Sequence, residues 1–233
     1  MERSLNHLAI IMDGSRRWAK KQGLQSVAGY KEGGFAAVKR AILFCVARHI
    51  KYLSLYTFSL ENFKRPQYEQ DMLFDTIVQE GTKAIPFFQE HNIRVQFVGD
   101  RTRFPERVLG TCMTIEEQTK NHTGCVVNLL FCYGARQEMV CGIKKLVHQI
   151  KMGLLKEEEI SEETFSQCLW TQGTPEPELI IRTSGAKRLS NFLLFQAAYS
   201  EFYFLDCLWP EITDEHLEEA TASFFTAQRN FGV

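Results

Sequence analysis

His7-Leu8-Ala9-Ile10-Ile11-Met12-Asp13-Gly14-Ser15-Arg16-Arg17-Trp18 changes character at Asp13. The run His7–Met12 is apolar almost throughout and does not alternate with polar residues, the pattern of a strand covered on both faces. A carboxylate, a glycine, a hydroxyl and two arginines follow at once. Outward from this stretch the same design recurs. Tyr52–Phe58, Ile93–Val98, Cys125–Phe131, Leu179–Arg182 and Glu201–Leu205 are short runs rich in branched or aromatic residues, and each predicts a buried strand. Between them, Phe35, Val38, Ile42, Cys45, Val46 and His49, or Leu217, Ala220, Phe224 and Gln228, fall at helical spacing. Further helices are expected over Gln67–Glu90, Phe104–Lys120 and, strongly acidic, Lys156–Leu169. Thr171–Pro177 reads as a surface loop within one domain. Strands alternating with helices predict a single α/β domain spanning 1–233, a mostly parallel six-stranded sheet covered by helices on both faces.

Composition bounds the partners. The chain has 233 residues, 45% of them apolar, and a formal charge of −1. A balance so near zero gives no broad pull on a nucleic-acid backbone, so none is expected as a partner, and any anion site must be a local cluster of cations. Seven cysteines, an odd number with no CxxC pair, read as reduced thiols of a cytoplasmic protein. Met1-Glu2-Arg3-Ser4-Leu5-Asn6 carries no export signal. The most apolar region, 191–209, is broken by Gln196, Ser200, Glu201 and Asp206 and is too polar to span a membrane. Gly-Lys, GxGxxG, HExxH and GxSxG are all absent, and without a nucleotide motif a phosphotransferase reading has no support.

Parallel sheets bind ligands beyond the carboxyl ends of their strands. Three such places carry arginines among small residues: 13–18, 59–66 and 182–191. Arg16, Arg17, Arg65, Arg182 and Arg188 are expected to converge on one crevice, where guanidinium forks suit phosphate oxygens. Asp13 among them is explained by a divalent ion bridging it to the phosphate. The competing reading, that these are solvated loop charges paired with Glu61 and Glu201, stays open at this level. Asp71 and Asp75, with Glu69 nearby, read as a solvated helix face and not as a metal pair.

The residues also carry a family resemblance. His7 to Gly14, Arg17-Trp18-Ala19-Lys20-Lys21-Gln22-Gly23, Ser59-Leu60-Glu61-Asn62, Arg65-Pro66, Gly99-Asp100-Arg101, Tyr133-Gly134-Ala135-Arg136, Ser190 to Leu194, Ala198 to Phe204, Leu208-Trp209-Pro210 and the closing Arg229-Asn230-Phe231-Gly232 resemble, in order, the cis-prenyltransferases. The resemblance implies a homodimer that uses Mg2+ to condense isopentenyl diphosphate repeatedly onto an allylic diphosphate, usually farnesyl diphosphate. The product would be a long-chain polyprenyl diphosphate such as undecaprenyl diphosphate, the lipid carrier for glycans, released with transient contact at the inner membrane face. By the same resemblance Asp13 and Glu201 hold the metal, and Gly14, Ser15, Arg16, Arg17, Trp18 and Tyr30 flank the allylic diphosphate. Arg182, Arg188, Leu189 and Ser190 hold isopentenyl diphosphate, while Ser59, Glu61, Asn62, Phe63 and Arg65 belong to the segment that closes over both. Asn62 is marked as catalytic, but an amide is a poor base, so it is expected to orient water or a phosphate oxygen.

Departures from the pattern carry weight too. Ser15 stands where relatives usually have Asn, Ala186 where they have Glu, and Ser26 and Tyr30 where many have Arg and His. One phosphate-facing cation is thereby lost, and Arg16, often Gly in relatives, is expected to replace it. These losses leave a second reading within the family, a non-catalytic subunit that supports an active homologue. The hydrocarbon product calls for an apolar tunnel near the strand ends, with Phe74, Ile77, Phe87, Phe88, Phe97, Leu129 and Phe131 as candidate lining or as ordinary core.

Overall fold

The structure, a computed structural model, describes residues 4–25 and 29–227. Six strands, β1 (His7–Ile11), β2 (Tyr52–Ser59), β3 (Ile93–Val98), β4 (Cys125–Tyr133), β5 (Leu179–Arg182) and β6 (Glu201–Phe204), form one sheet in the order β3-β4-β2-β1-β5-β6. Every pairing is parallel, and all five residues of β1 are buried, as its unbroken apolar run requires.

Eight α-helices connect the strands: α1 (Ser15–Lys21), α2 (Phe35–Ala47), α3 (Gln67–Lys83), α4 (Ile85–Glu90), α5 (Glu106–Thr119), α6 (Ala135–Lys151), α7 (Glu162–Ser166) and α8 (Asp214–Thr226). A π-turn, Tyr30–Gly34, runs directly into α2. The single helix expected over Gln67–Glu90 is two, because Pro86 cannot donate to the preceding turn and the chain reorients at Ala84. The acidic helix expected over Lys156–Leu169 is also broken. A short 3-10 turn, Glu157–Glu159, is followed by α7, which Ser161 caps by accepting from Thr164 N.

The two sheet faces carry separate cores. Leu8, Ile10, Leu53, Leu55, Val127 and Phe131 turn toward α2, α3, α5 and α8, whereas Ala9, Ile11, Leu130, Tyr133 and Ile180 turn toward Phe192, Leu193 and the start of α6. In β2 the register against β4 slips between Tyr56 and Phe58. Phe58 therefore joins the same core as Leu53 and Leu55, while Tyr56, before the slip, faces the other side by ordinary alternation. Phe74, Phe88, Phe97 and Phe131 are buried in the first core, with Ile77, Phe87 and Leu129 packed on it. Phe58, Phe74, Phe104 and Phe131 pack tilted or edge-on, with centroids 4.8–5.9 Å apart. Among the described residues these side chains are core, and the expected tunnel is not seen.

Candidate active site

The chain leaves β1 toward β2 on one side and leaves β5 toward β6 on the other, so the sheet changes direction between these two neighbours. A crevice of about 670 Å³ opens there, at the carboxyl ends of the strands. Asp13, Gly14, Ser15, Arg16 and Arg17 enter it from β1 and α1. Tyr30 comes from the π-turn, Ser59, Asn62 and Arg65 follow β2, and Arg182, Arg188 and Ser190 come from β5 and the loop beyond. All five arginines of the sequence reading meet here, and Asp13 is among them.

The wall between β1 and β5 is densely hydrogen-bonded. Thr183 Oγ1 donates to Asp13 O at 2.6 Å and accepts from Asp13 N at 3.0 Å, and Trp209 N donates to the same carbonyl at 3.0 Å. Gly14 turns the chain with φ 110°, and a Cβ there would meet Leu208 at 2.8 Å, so only glycine fits. Gly29 is required for a different reason: a Cβ would strike Ser15 O at 2.2 Å, and its absence lets the π-turn close against α1. The Arg182 side chain is 5% exposed. Its Nη2 donates to Asp13 Oδ2 at 2.8 Å, and its Nη1 donates to Ser190 Oγ at 2.8 Å and to Arg188 O. Arg182 Nε is buried without a partner. Burial pushes the Asp13 carboxyl upward, but the Arg182 hydrogen bond and the charges of Arg182 and Arg17 outweigh it and hold the group below its usual value. The loop after β5 is unusual backbone, with Ser184, Ser190, Asn191 and Leu193 all at positive φ. Such conformations cost energy and gather at functional sites.

The facing wall is more loosely held. Arg17 reaches Asp13 Oδ1 at 3.5 Å and Ser184 O at 3.3 Å. Arg65 Nη1 donates to Tyr30 Oη at 2.9 Å, and Arg16 lies 3.4 Å from Glu69. Asn62 Oδ1 accepts from Ser59 N at 3.1 Å, capping the 3-10 turn Leu60–Lys64. A neutral amide is a poor base, and with its oxygen accepting from Ser59 N, Asn62 can offer Nδ2–H to the crevice as a donor.

Several expected residues lie elsewhere. Trp18 turns to the π-turn, its Cη2 within 3.3 Å of where a Gly33 Cβ would stand. Glu61 accepts from Asn191 at 2.8 Å, and among the described residues it pairs with none of the five arginines. Phe63 packs edge-on against Phe58 with Arg103 over its ring, and Leu189 joins the second core. Glu201 opens β6 and pairs with Leu179, whereas the crevice lies at the level of Arg182, where β5 pairs with Phe204. Within the chain that puts Glu201 about 10 Å from the crevice along the strand, so this structure does not bring it beside Asp13. Ser26 and residues 229–232 lie outside the described residues. Asp71 and Asp75 are not simply solvated, because Arg107 bridges them at 2.9 and 3.4 Å.

The crevice also contains Lys20, Tyr56 and Thr57, which the sequence reading omits. Lys20 was within reach, since it lies one turn beyond Arg16 and Arg17 on α1. Thr57 depends on the register slip in β2, and Tyr56 follows from the strand's alternation.

Comparison with known proteins agrees with this geometry. Residues 11–232 match the family described as "Putative undecaprenyl diphosphate synthase". An isoprenyl transferase of Clostridium perfringens is 42% identical over 97% of this chain and 89% of its own length. A farnesyl-diphosphate-specific undecaprenyl-diphosphate synthase of Buchnera aphidicola is 41% identical over 97% and 90%. Among solved structures, lavandulyl diphosphate synthase from Lavandula x intermedia, in complex with dimethylallyl diphosphate, superposes with a TM-score of 0.94 at 32% identity, covering 99% of both chains. A probable undecaprenyl diphosphate synthase from Campylobacter jejuni gives 0.81 at 32% identity over 99% and 100%. With five arginines and a carboxylate gathered at the switch point of such a sheet, the chain belongs to the undecaprenyl diphosphate synthase family and is a prenyltransferase.

Proposed function

We propose that the chain is a Mg2+-dependent elongase that adds isopentenyl diphosphate repeatedly, in cis, to an allylic diphosphate, with farnesyl diphosphate as primer and a long-chain polyprenyl diphosphate as product. One observation carries this: Asp13 and five arginines, drawn from three strand ends, share a single crevice. Breaking an allylic C–O bond leaves a diphosphate of growing negative charge, and preplaced cations stabilise that charge most in the transition state. Arg16, Arg17 and Arg65 are assigned to the allylic diphosphate with Gly14, Ser15 and Tyr30. Arg182, Arg188 and Ser190 are assigned to isopentenyl diphosphate. The dimethylallyl diphosphate held by the lavandulyl diphosphate synthase supports an allylic diphosphate here.

The residues present fit a metal delivered with its substrate. Among the described residues no group of three His, Cys, Asp or Glu side chains could cage an ion, but Mg2+ commonly takes one or two carboxylates, keeps waters and completes its shell with phosphate oxygens. Asp13, held ionised by its neighbours, supplies such a carboxylate. When bound, the ion would neutralise the leaving diphosphate.

We further assign a homodimer, supported by Val140, Ile143 and Val147, exposed at helical spacing on α6, and by Phe202 on the edge strand β6. No described helix is long and apolar enough to cross a membrane. We assign transient membrane contact because a long polyprenyl product is insoluble in water, and cytoplasmic placement from the free cysteines. The test is purified protein with Mg2+, farnesyl diphosphate and labelled isopentenyl diphosphate, lipids resolved by chain length. A ladder ending in long-chain product is expected. Folded, dimeric protein that yields no extended lipid overturns the proposal.

A further inference from the structure

Glu69, in the first turn of α3, is 3% exposed. Its Oε2 is buried without a partner, and Oε1 has two long contacts, Tyr68 Oη and Arg16 Nη2, both at 3.4 Å. The Arg16 side chain is half exposed and lines the crevice from the opposite side. A carboxylate this deeply buried needs a cation, and removing the cation strands the charge at a cost of several kcal/mol in general. Arg16 cannot therefore desert Glu69 for a ligand without that penalty. The guanidinium has five N–H donors, however, and one edge can stay on the carboxylate while the other faces the crevice.

The neighbouring residue shows why this turn matters. Gln70, also buried, donates through Nε2 to Phe63 O at 3.0 Å and Arg65 O at 2.8 Å, clasping the segment that carries Asn62 and Arg65. The first turn of α3 thus grips the β2 loop with Gln70 and reaches the β1 loop with Glu69.

We infer that Glu69 is a positioning residue that aims Arg16 at the diphosphate and couples α3 to the phosphate-binding wall. The inference rests on the proposed diphosphate chemistry. Its test measures binding of inorganic diphosphate with Mg2+ by calorimetry, beside KM and kcat for farnesyl diphosphate, in wild type, Arg16→Ala, Glu69→Gln, the double variant and Asp71→Asn. Asp71 is an exposed carboxylate of the same helix, paired with Arg107, and controls for loss of charge alone. Arg16→Ala and Glu69→Gln are each expected to weaken diphosphate binding and raise KM by about tenfold, with kcat little changed. The double variant should be no worse than the weaker single one, and Asp71→Asn should match wild type. Unchanged or tighter binding in folded Glu69→Gln, or additive losses, overturns the inference. Failure of the wild type to bind diphosphate overturns the proposed function itself, so the two failures read differently.

Discussion

The same six strands end in opposite environments. At their carboxyl ends, cations crowd an open crevice and several keep donors unspent. Arg182 Nε is buried and unpartnered, and neither Arg188 nor Lys20 makes a side-chain ion pair or hydrogen bond among the described residues. At their amino ends the polar groups are bonded mainly within the fold, where the Glu178 carboxylate accepts from Asn6 N at 2.6 Å and His7 N at 2.8 Å. His7 Nδ1 meets Pro175 O at 2.6 Å and Nε2 meets Ser54 Oγ at 2.8 Å, and Asn128 donates to the same hydroxyl at 3.3 Å. The amino end is closed by its own hydrogen bonds and serves stability, whereas the carboxyl end has charge to spare and can bind.

Asp13→Ala attacks the open end at its centre and should cost about a thousandfold in turnover, measured as kcat with saturating substrates. A variant that retains activity would dissolve the contrast. The closed end should respond to pH instead. Burial lowers the His7 pKa from 6.5 to about 4, so between these values the unfolded chain binds a proton that the folded chain refuses. Stability is then full above pH 6.5 and falls by about 3 kcal/mol as the pH drops toward 4. Denaturant melts across that range check it, and His7→Gln, which cannot titrate, should flatten the curve.

Arg182→Lys tests whether the fork's geometry matters as well as its charge. One ammonium cannot reach Asp13 Oδ2, Ser190 Oγ and Arg188 O together, and kcat/KM should fall by about a hundredfold. Tyr30→Phe is the mildest probe. Removing the hydroxyl that receives Arg65 should raise KM by about threefold and leave thermal stability nearly unchanged.

Much of this contrast is legible in the residues. All six strands start where their apolar runs start and end within two residues of them; β1 and β5 are buried on both faces, as unbroken apolar runs require, whereas the edge strand β6, expected to be buried, is partly exposed. The convergence of five arginines follows from the strand-end rule alone. Glu201 shows the rule neglected. A strand predicted to begin at Glu201 already puts that carboxylate at the amino end of its own sheet, apart from Asp13 within the chain. The face Tyr56 takes follows from plain alternation along β2, but Thr57 was not legible, because a register slip against β4 aims it. Neither was Glu69, which as sequence is one acid among several at the start of a helix. Its importance appears only when α3 approaches α1.

Asp13 and Arg182 are 169 positions apart, and this separation bears on how the protein comes into being. Contacts between distant segments form late, because the chain between them must first be ordered. A chain emerging from synthesis can complete β1, β2, β3 and β4 while its carboxylate still faces solvent without its arginine. Only when β5 docks against β1 does the crevice acquire its second wall. In a refolding experiment, recovery of diphosphate binding should therefore lag behind recovery of helical signal, and the lag times the arrival of a single short strand.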